Sequence, residues 1–206
     1  MASTVSNPSP SSTATNPADA GTAQIQPFLG QPVEICLVTS SLRRTLASLT
    51  GLGIGPWKIF RFSPSAISEQ RLDGQPAEFE LKVAFSQAQK PGEIVWEVMQ
   101  PVSGDTPMSR FLQETDGRVG VQHVAFDFGA SSGQVLIGEA AREEMRRRKG
   151  LMEERGFAEV MKGVWHGARG TCEFCFFGTE EKVGMCFETY IFSADWVEPV
   201  DGVRFP

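Results

Sequence analysis

The sequence predicts an α+β fold made of two tandem βαβββ modules that enclose one metal-centred cavity. Three observations carry that reading. The order strand, helix, strand, strand, strand is legible twice along the chain. Glycine and proline punctuate the apolar stretches at strand-like intervals. Polar, metal-capable side chains stand in the middle of apolar strands, at matching places in the two halves.

Residues 1–28 come first and read differently from the rest. They are mostly Ser, Thr, Pro, Ala and Asn with almost no large apolar side chain, so they are expected to form a disordered tail. The segment has no apolar core of a secretory signal, and the first basic residue of the chain is Arg43, which argues against a transit peptide.

The first module is expected over 29–102. Pro32–Val38 is rich in β-formers. Ser40 or Ser41 can cap a helix over Leu42–Leu49, and Gly51 ends it. Strands follow at Trp57–Phe62, Glu78–Phe85 and Ile94–Met99. A linker over 103–119 holds a short helix at Met108–Glu114. The second module, 120–192, repeats the order: a strand at Val121–Phe128, a helix from about Val135 to Arg155, then strands at Ala158–Val164, Thr171–Phe177 and Gly184–Phe192. Residues 193–206 form a C-terminal extension. In Glu78–Phe85, Glu78, Glu80, Lys82 and Ala84 share one face, and Phe79, Leu81, Val83 and Phe85 the other. The polar face is expected to meet a wet cavity and the apolar face a helix.

Superposing the halves pairs Glu34 with His123 and Glu97 with Glu188. The separations agree closely, 97 − 34 = 63 and 188 − 123 = 65. A carboxylate inside an apolar strand is costly unless it is paired or metal-bound. Three of them with a histidine, at repeat-related positions, point to one metal site. Three carboxylates and one imidazole suit a hard or borderline divalent ion: Mg, Mn, Fe, Co or Zn. Residues two away from these positions share their face, which places Cys36, Met99 and Tyr190, with Cys186 and Ala125, in the pocket wall. Tyr190, the single tyrosine, can offer a hydroxyl to the substrate. Trp165-His166-Gly167 precedes a strand and is expected to form a loop over the cavity, with Trp165 and His166 as substrate contacts. Cys172 and Cys175 form an isolated C-x-x-C whose members point to opposite strand faces. All four cysteines are expected to be free thiols in a reducing, cytoplasmic compartment.

Val95-Trp96-Glu97-Val98-Met99-Gln100-Pro101, followed after a linker by Val121-Gln122-His123-Val124-Ala125-Phe126, resembles the vicinal oxygen chelate superfamily, in its glyoxalase I and methylmalonyl-CoA epimerase branch. The resemblance covers about residues 31–192 and implies metal ligands at Glu34, Glu97, His123 and Glu188. It departs at Glu34, where the branch usually has His or Gln. It also implies an isomerase or epimerase that abstracts a proton beside a metal-bound carbonyl, giving an enolate. The base would be Glu80 by likeness to the epimerases, or Glu188 by likeness to the glyoxalases, with Glu173 a weaker partner acid. A ring-cleaving dioxygenase is disfavoured, because His123 and His166 are the only histidines and His166 lies off the ligand positions. The alternatives are a glyoxalase-like lyase and a non-catalytic small-molecule-binding protein of the same fold.

The expected partners are a small-molecule substrate, a secondary metabolite or an acyl-CoA, and a second copy of the chain in a homodimer. Arg43, Arg44, Lys58, Arg61 and Arg71 are scattered candidates for contacts to CoA phosphates. A net charge of −6 with no basic stripe argues against nucleic acid. The longest apolar runs fall well short of the ~20 residues a membrane span needs.

Overall fold

The computed structural model describes residues 28–87, 93–127, 130–131 and 134–206, the last two pairs before Leu136 (130–131 and 134–135) without their side chains. The tail expected over 1–28 lies, apart from Phe28, outside the described residues, as does Phe128 of the expected strand.

An eleven-stranded sheet dominates. In chain order its elements are β1 (Pro32–Val38), α1 (Leu42–Gly51), β2 (Trp57–Phe62), β3 (Ile67–Leu72), β4 (Gln75–Pro76), β5 (Glu80–Ser86), β6 (Val95–Ser103), α2 (Pro107–Glu114) and β7 (Gly120–Phe126). After the small pair β8 (Ala130–Ser131) and β9 (Gln134–Val135) come α3 (Gly138–Glu154), β10 (Glu159–His166), β11 (Thr171–Phe177), α4 (Glu180–Val183), β12 (Cys186–Phe192) and β13 (Val203–Phe205). The sheet order is β13-β2-β5-β6-β1-β7-β12-β11-β10-β3-β4. Its centre is mirror-like: β2-β5-β6-β1 on one side answers β10-β11-β12-β7 on the other. Within each half the innermost pair is parallel, β1 with β6 and β7 with β12, while β1 and β7 join the halves antiparallel.

Besides the small β8–β9 pair and the short α4, two features go beyond the expected order. Residues 67–76, read in sequence as a connection, form the hairpin β3–β4. Its turn is Asp73-Gly74, both at positive φ (48° and 76°), as a tight two-residue hairpin turn requires. The hairpin does not pair within its own half; β3 lies against β10. Since only residues 63–66 separate β2 from β3, the sheet must curl until its two flanks meet. Phe62 of β2 accordingly packs against Trp165 of β10, ring centroids 4.7 Å apart. The second feature is the C-terminal extension, which runs from β12 back to β2. It is tied on the way by hydrogen bonds between Val197 and residues 168–169, by a Lys58–Glu198 ion pair, and by β13 pairing with β2.

Both long helices pack on the outside of the curl. Leu42, Leu46 and Leu49 of α1 bury against Trp57, Ala84 and Val98. Ala141, Met145 and Met152 of α3 bury against Cys175, Phe177 and Ile191. The start of α1 is not capped by a serine side chain; the Gln100 side chain of β6 accepts from Leu42 N at 2.9 Å instead. None of the described helices is long and apolar enough to cross a membrane.

These helices set the phase of the strands. Leu81 and Val83 belong to the central core inside the curl, whereas Ala84 lies under α1. The faces of β5 are therefore the reverse of the sequence expectation. The apolar face looks inward, because the cavity is itself apolar, and Glu80 and Lys82 look outward.

Candidate metal centre

β1, β6, β7 and β12 run side by side at the middle of the sheet, and each delivers one polar side chain to its inner face. Cross-strand register brings these together: Glu34 lies opposite Ala125, Cys36 opposite both His123 and Glu97, and Ala125 opposite Glu188. Ligand atoms of Glu34, Glu97, His123 and Glu188 all lie within 4.8 Å of one another. All four side chains are buried, His123 completely.

Burial first, then the neighbouring Glu97 and Glu188, push the Glu34 carboxyl well above its ordinary range. Burial also pushes the Glu188 carboxyl up to about 7, against the pull of His123. Burial opposes charge on His123, yet Glu188 and Glu97 outweigh it and hold the imidazole at about 9. Three carboxylates thus crowd around a single cationic partner.

The imidazole is fixed from both sides. Nδ1 lies 2.6 Å from Oε1 of Gln122, and Nε2 lies 3.0 Å from Glu97 Oε2 and 3.1 Å from Glu188 Oε2. Neighbours on a regular strand point to opposite faces, so a Gln122–His123 side-chain bond needs an irregularity. The register supplies it: Cys36 pairs with His123 but Leu37 with Val121, which leaves Gln122 as the extra residue of a β-bulge. An amide oxygen can only accept, so Nδ1 carries the proton and Nε2 is turned toward the carboxylates. Phe176 packs edge-on against the ring at 4.9 Å.

This donor set fits a divalent cation. Nε2 has one proton at most to give, and it goes to Glu97. Glu188 Oε2 is left buried with no hydrogen-bond partner. An orphaned carboxylate oxygen beside two further carboxylates and a correctly turned imidazole is the arrangement a metal ion relieves. The Cys36 thiol lies within the same distance of Glu97 and His123, but burial first and then Glu97 hold its pKa well above the ordinary value, which keeps it a neutral thiol.

Above the four residues opens a cavity of about 270 Å³. Glu34, Glu97 and Glu188 line its floor, and Met99, Trp165 and Tyr190 its walls. The Tyr190 hydroxyl makes no hydrogen bond to a described residue. Trp196 and Glu198 of the C-terminal extension complete the rim, residues whose irregular segment gave no sequence signal for that role. Cys36, Cys186 and Ala125 are fully buried and do not line the cavity.

Three expected contacts fall elsewhere. Glu80 is not brought to the cavity; on the outer face of β5 it ion-pairs with Arg61, whose guanidinium holds its carboxyl below the usual range. His166 belongs to β10 rather than a covering loop. It is exposed, and its Nε2 lies 2.7 Å from the Ser68 hydroxyl of β3. Glu173 pairs with Arg142 of α3 on the outside of the sheet. Cys172 lies in the inner core and Cys175 under α3, and all four cysteines are free and buried.

The sequence profile of the glyoxalase/bleomycin resistance protein/dioxygenase superfamily matches residues 34–176. The chain belongs to that superfamily. This is the vicinal oxygen chelate superfamily that the strand motifs resemble. No curated protein sequence matches the chain. Among solved structures, methylmalonyl-CoA epimerase from Mycobacterium tuberculosis is similar with a TM-score of 0.46 at 13% identity, covering 86% of this chain and 94% of its own. A variant of Streptomyces coelicolor methylmalonyl-CoA epimerase in complex with 2-nitronate-propionyl-CoA gives 0.48 at 13% identity, with 82% and 99% covered. A variant of 4-hydroxymandelate synthase from Streptomyces coelicolor gives 0.47 at 16%, with 79% and 48% covered.

Proposed function

We propose that this superfamily member is a divalent-metal-dependent enzyme that moves a proton at the carbon beside a carbonyl. The observation that carries this reading is the buried cluster of Glu34, Glu97, His123 and Glu188 at the floor of an open cavity. These four residues would hold one ion of the Mg, Mn, Fe, Co or Zn class. A cation bound there would polarise a substrate carbonyl and stabilise the negative charge that proton loss leaves on its oxygen.

Glu188 is the proposed base. It borders the cavity, its Oε2 is free of protein hydrogen bonds, and burial holds its carboxyl at about 7, where it can both take and return a proton. As Glu188 accepts the proton its own charge is neutralised while the substrate oxygen gains one, so the net charge on the cavity floor does not change. Gln122 keeps His123 in the tautomer that leaves Nε2 for the centre.

The side chain of Glu80, the second base that an epimerase-like scheme would use, is on the other face of β5, which gives the cavity Leu81, Phe85 and Ser86. A one-base proton shift, as in an isomerase or a glyoxalase-like lyase, therefore fits this site better than a two-base epimerisation.

Metal analysis of the purified protein tests the reading, together with Glu97→Ala and His123→Ala. Stoichiometric divalent metal should be present in the parent and lost in both variants. Carbon-bound hydrogen of a bound hydroxyketone should exchange with deuterated solvent only in the parent. Failure to bind any divalent metal, or exchange that survives both substitutions, would sink it. Ligand binding with no exchange in the metal-loaded protein would favour a non-catalytic binding protein of the same fold.

A further inference from the structure

The charge and chemistry of the cavity say what class of molecule it takes. Much of its wall is aromatic: Phe62, Phe85, Trp165, Phe174, Tyr190 and Trp196 all line it. The Trp165 ring lies 4.7 Å from Phe62, 6.0 Å from Phe85 and 5.1 Å from Trp196, centroid to centroid. Such a wall offers flat, apolar faces to a planar guest.

No arginine or lysine lines the cavity among the described residues. The basic residues that were candidates for phosphate contacts lie elsewhere. Arg43 and Arg44 are exposed on α1, outside the curl. Arg61 pairs with Glu80, Arg71 bonds the Gly74 carbonyl, and Lys58 pairs with Glu198 at the rim. The floor is acidic. Glu34, Glu97 and Glu188 put three carboxyl groups there, with no arginine or lysine side chain beside them in the lining. An anionic guest would have to shed its water in an apolar chamber that offers it no arginine or lysine and meets it with carboxyl groups, and desolvation opposes that.

We infer that the substrate is an uncharged aromatic carbonyl compound, and is not an acyl-CoA or another anion. The inference rests on taking this cavity as the reaction site. The carbonyl would face Glu34, Glu97 and Glu188 and the ring system the aromatic wall. The lack of an arginine or lysine in the lining then serves as the selectivity device.

Quenching of tryptophan fluorescence in the Mn²⁺-loaded protein tests it, since Trp165 and Trp196 line the cavity. The probes are 2-hydroxyacetophenone, which is neutral, mandelate, which has the same carbon skeleton with a carboxylate, and acetyl-CoA. The neutral probe should bind at least about tenfold more tightly than mandelate, and acetyl-CoA should be weaker still. Phe192 borders the cavity and is 42% exposed, so Phe192→Lys should fold and should narrow or reverse the gap by supplying the missing cation. Equal or tighter binding of mandelate or acetyl-CoA by the parent overturns the inference, as does no binding of the neutral probe up to its solubility limit. The same titration on chelator-treated protein separates the two claims. A neutral preference in a protein that takes up no metal keeps this inference while the proposed function falls. Metal uptake without the preference removes this inference alone.

Discussion

The double role proposed for Glu188, ligand and base, is one that its surroundings would allow a single carboxylate to fill. One oxygen is unpartnered, burial raises the carboxyl to about 7, and His123 keeps it from rising further. Glu188→Gln should cut solvent exchange of substrate hydrogen by about 10²- to 10⁴-fold, read by NMR in deuterated buffer. An unchanged rate would move the base to Glu34. Gln122 acts through His123. Gln122→Leu strands a buried Nδ1–H without an acceptor, and metal affinity should fall about 10- to 100-fold by titration calorimetry, with the circular dichroism unchanged. Affinity equal to the parent would show that the tautomer is set some other way. The four central residues were legible in the sequence because a charged side chain among Val, Ile and Phe is costly without a purpose. Gln122 was not legible, because a bulge is a property of two paired strands and one strand alone does not display it. Glu80 stands away from the cavity for a related reason. Alternation gives two faces but not which one looks inward, and here the cavity demanded the apolar one.

At the scale of elements, strand and helix positions followed from periodicity to within a few residues, whereas the β3–β4 hairpin did not. Ile67-Ser68-Glu69-Gln70-Arg71-Leu72 lacks an apolar alternation because much of its support comes from pairing with β10. The Asp73-Gly74 turn was the signal that could have revealed it. Gly163 on β10 permits the close packing at that junction. A Cβ there would stand 2.6 Å from Ile67 and 2.7 Å from Phe174. Gly163→Ala should therefore lower stability by about 1–3 kcal/mol, measured from the urea midpoint. No change in midpoint would mean that β3 is free to move away from β10.

For the molecule as a whole, the crowded carboxylates tie stability to pH. Glu188 and His123 have folded pKa values of about 7 and about 9, both above their ordinary values, and Glu34 is raised as well. In each case the folded chain holds its proton more tightly than the unfolded chain does. Their contribution to the metal-free protein is therefore complete below the unfolded values and is lost as pH rises through about 7 and then about 9. A divalent cation displaces those protons and replaces what they contributed. The rise in melting temperature on adding Mn²⁺ should be small near pH 5 and grow toward pH 8, as scanning fluorimetry of chelated and reloaded protein would show. A shift that shrinks with rising pH would contradict this charge balance.

The hairpin that crosses from one flank to the other also governs how the chain can fold. Leu72 pairs with Met161, a separation of 161 − 72 = 89 residues. Contacts of that range are slow to form, because a long loop must close before they contribute. During synthesis β3 and β4 would emerge long before β10 and wait with an unpaired edge. The repeat looks like two units that could each stand alone, yet the first cannot complete its sheet until the second has been made. A fragment ending near residue 119 is expected to aggregate on its own and to become soluble when co-expressed with the remainder, so the halves that look duplicated would behave as one cooperative unit.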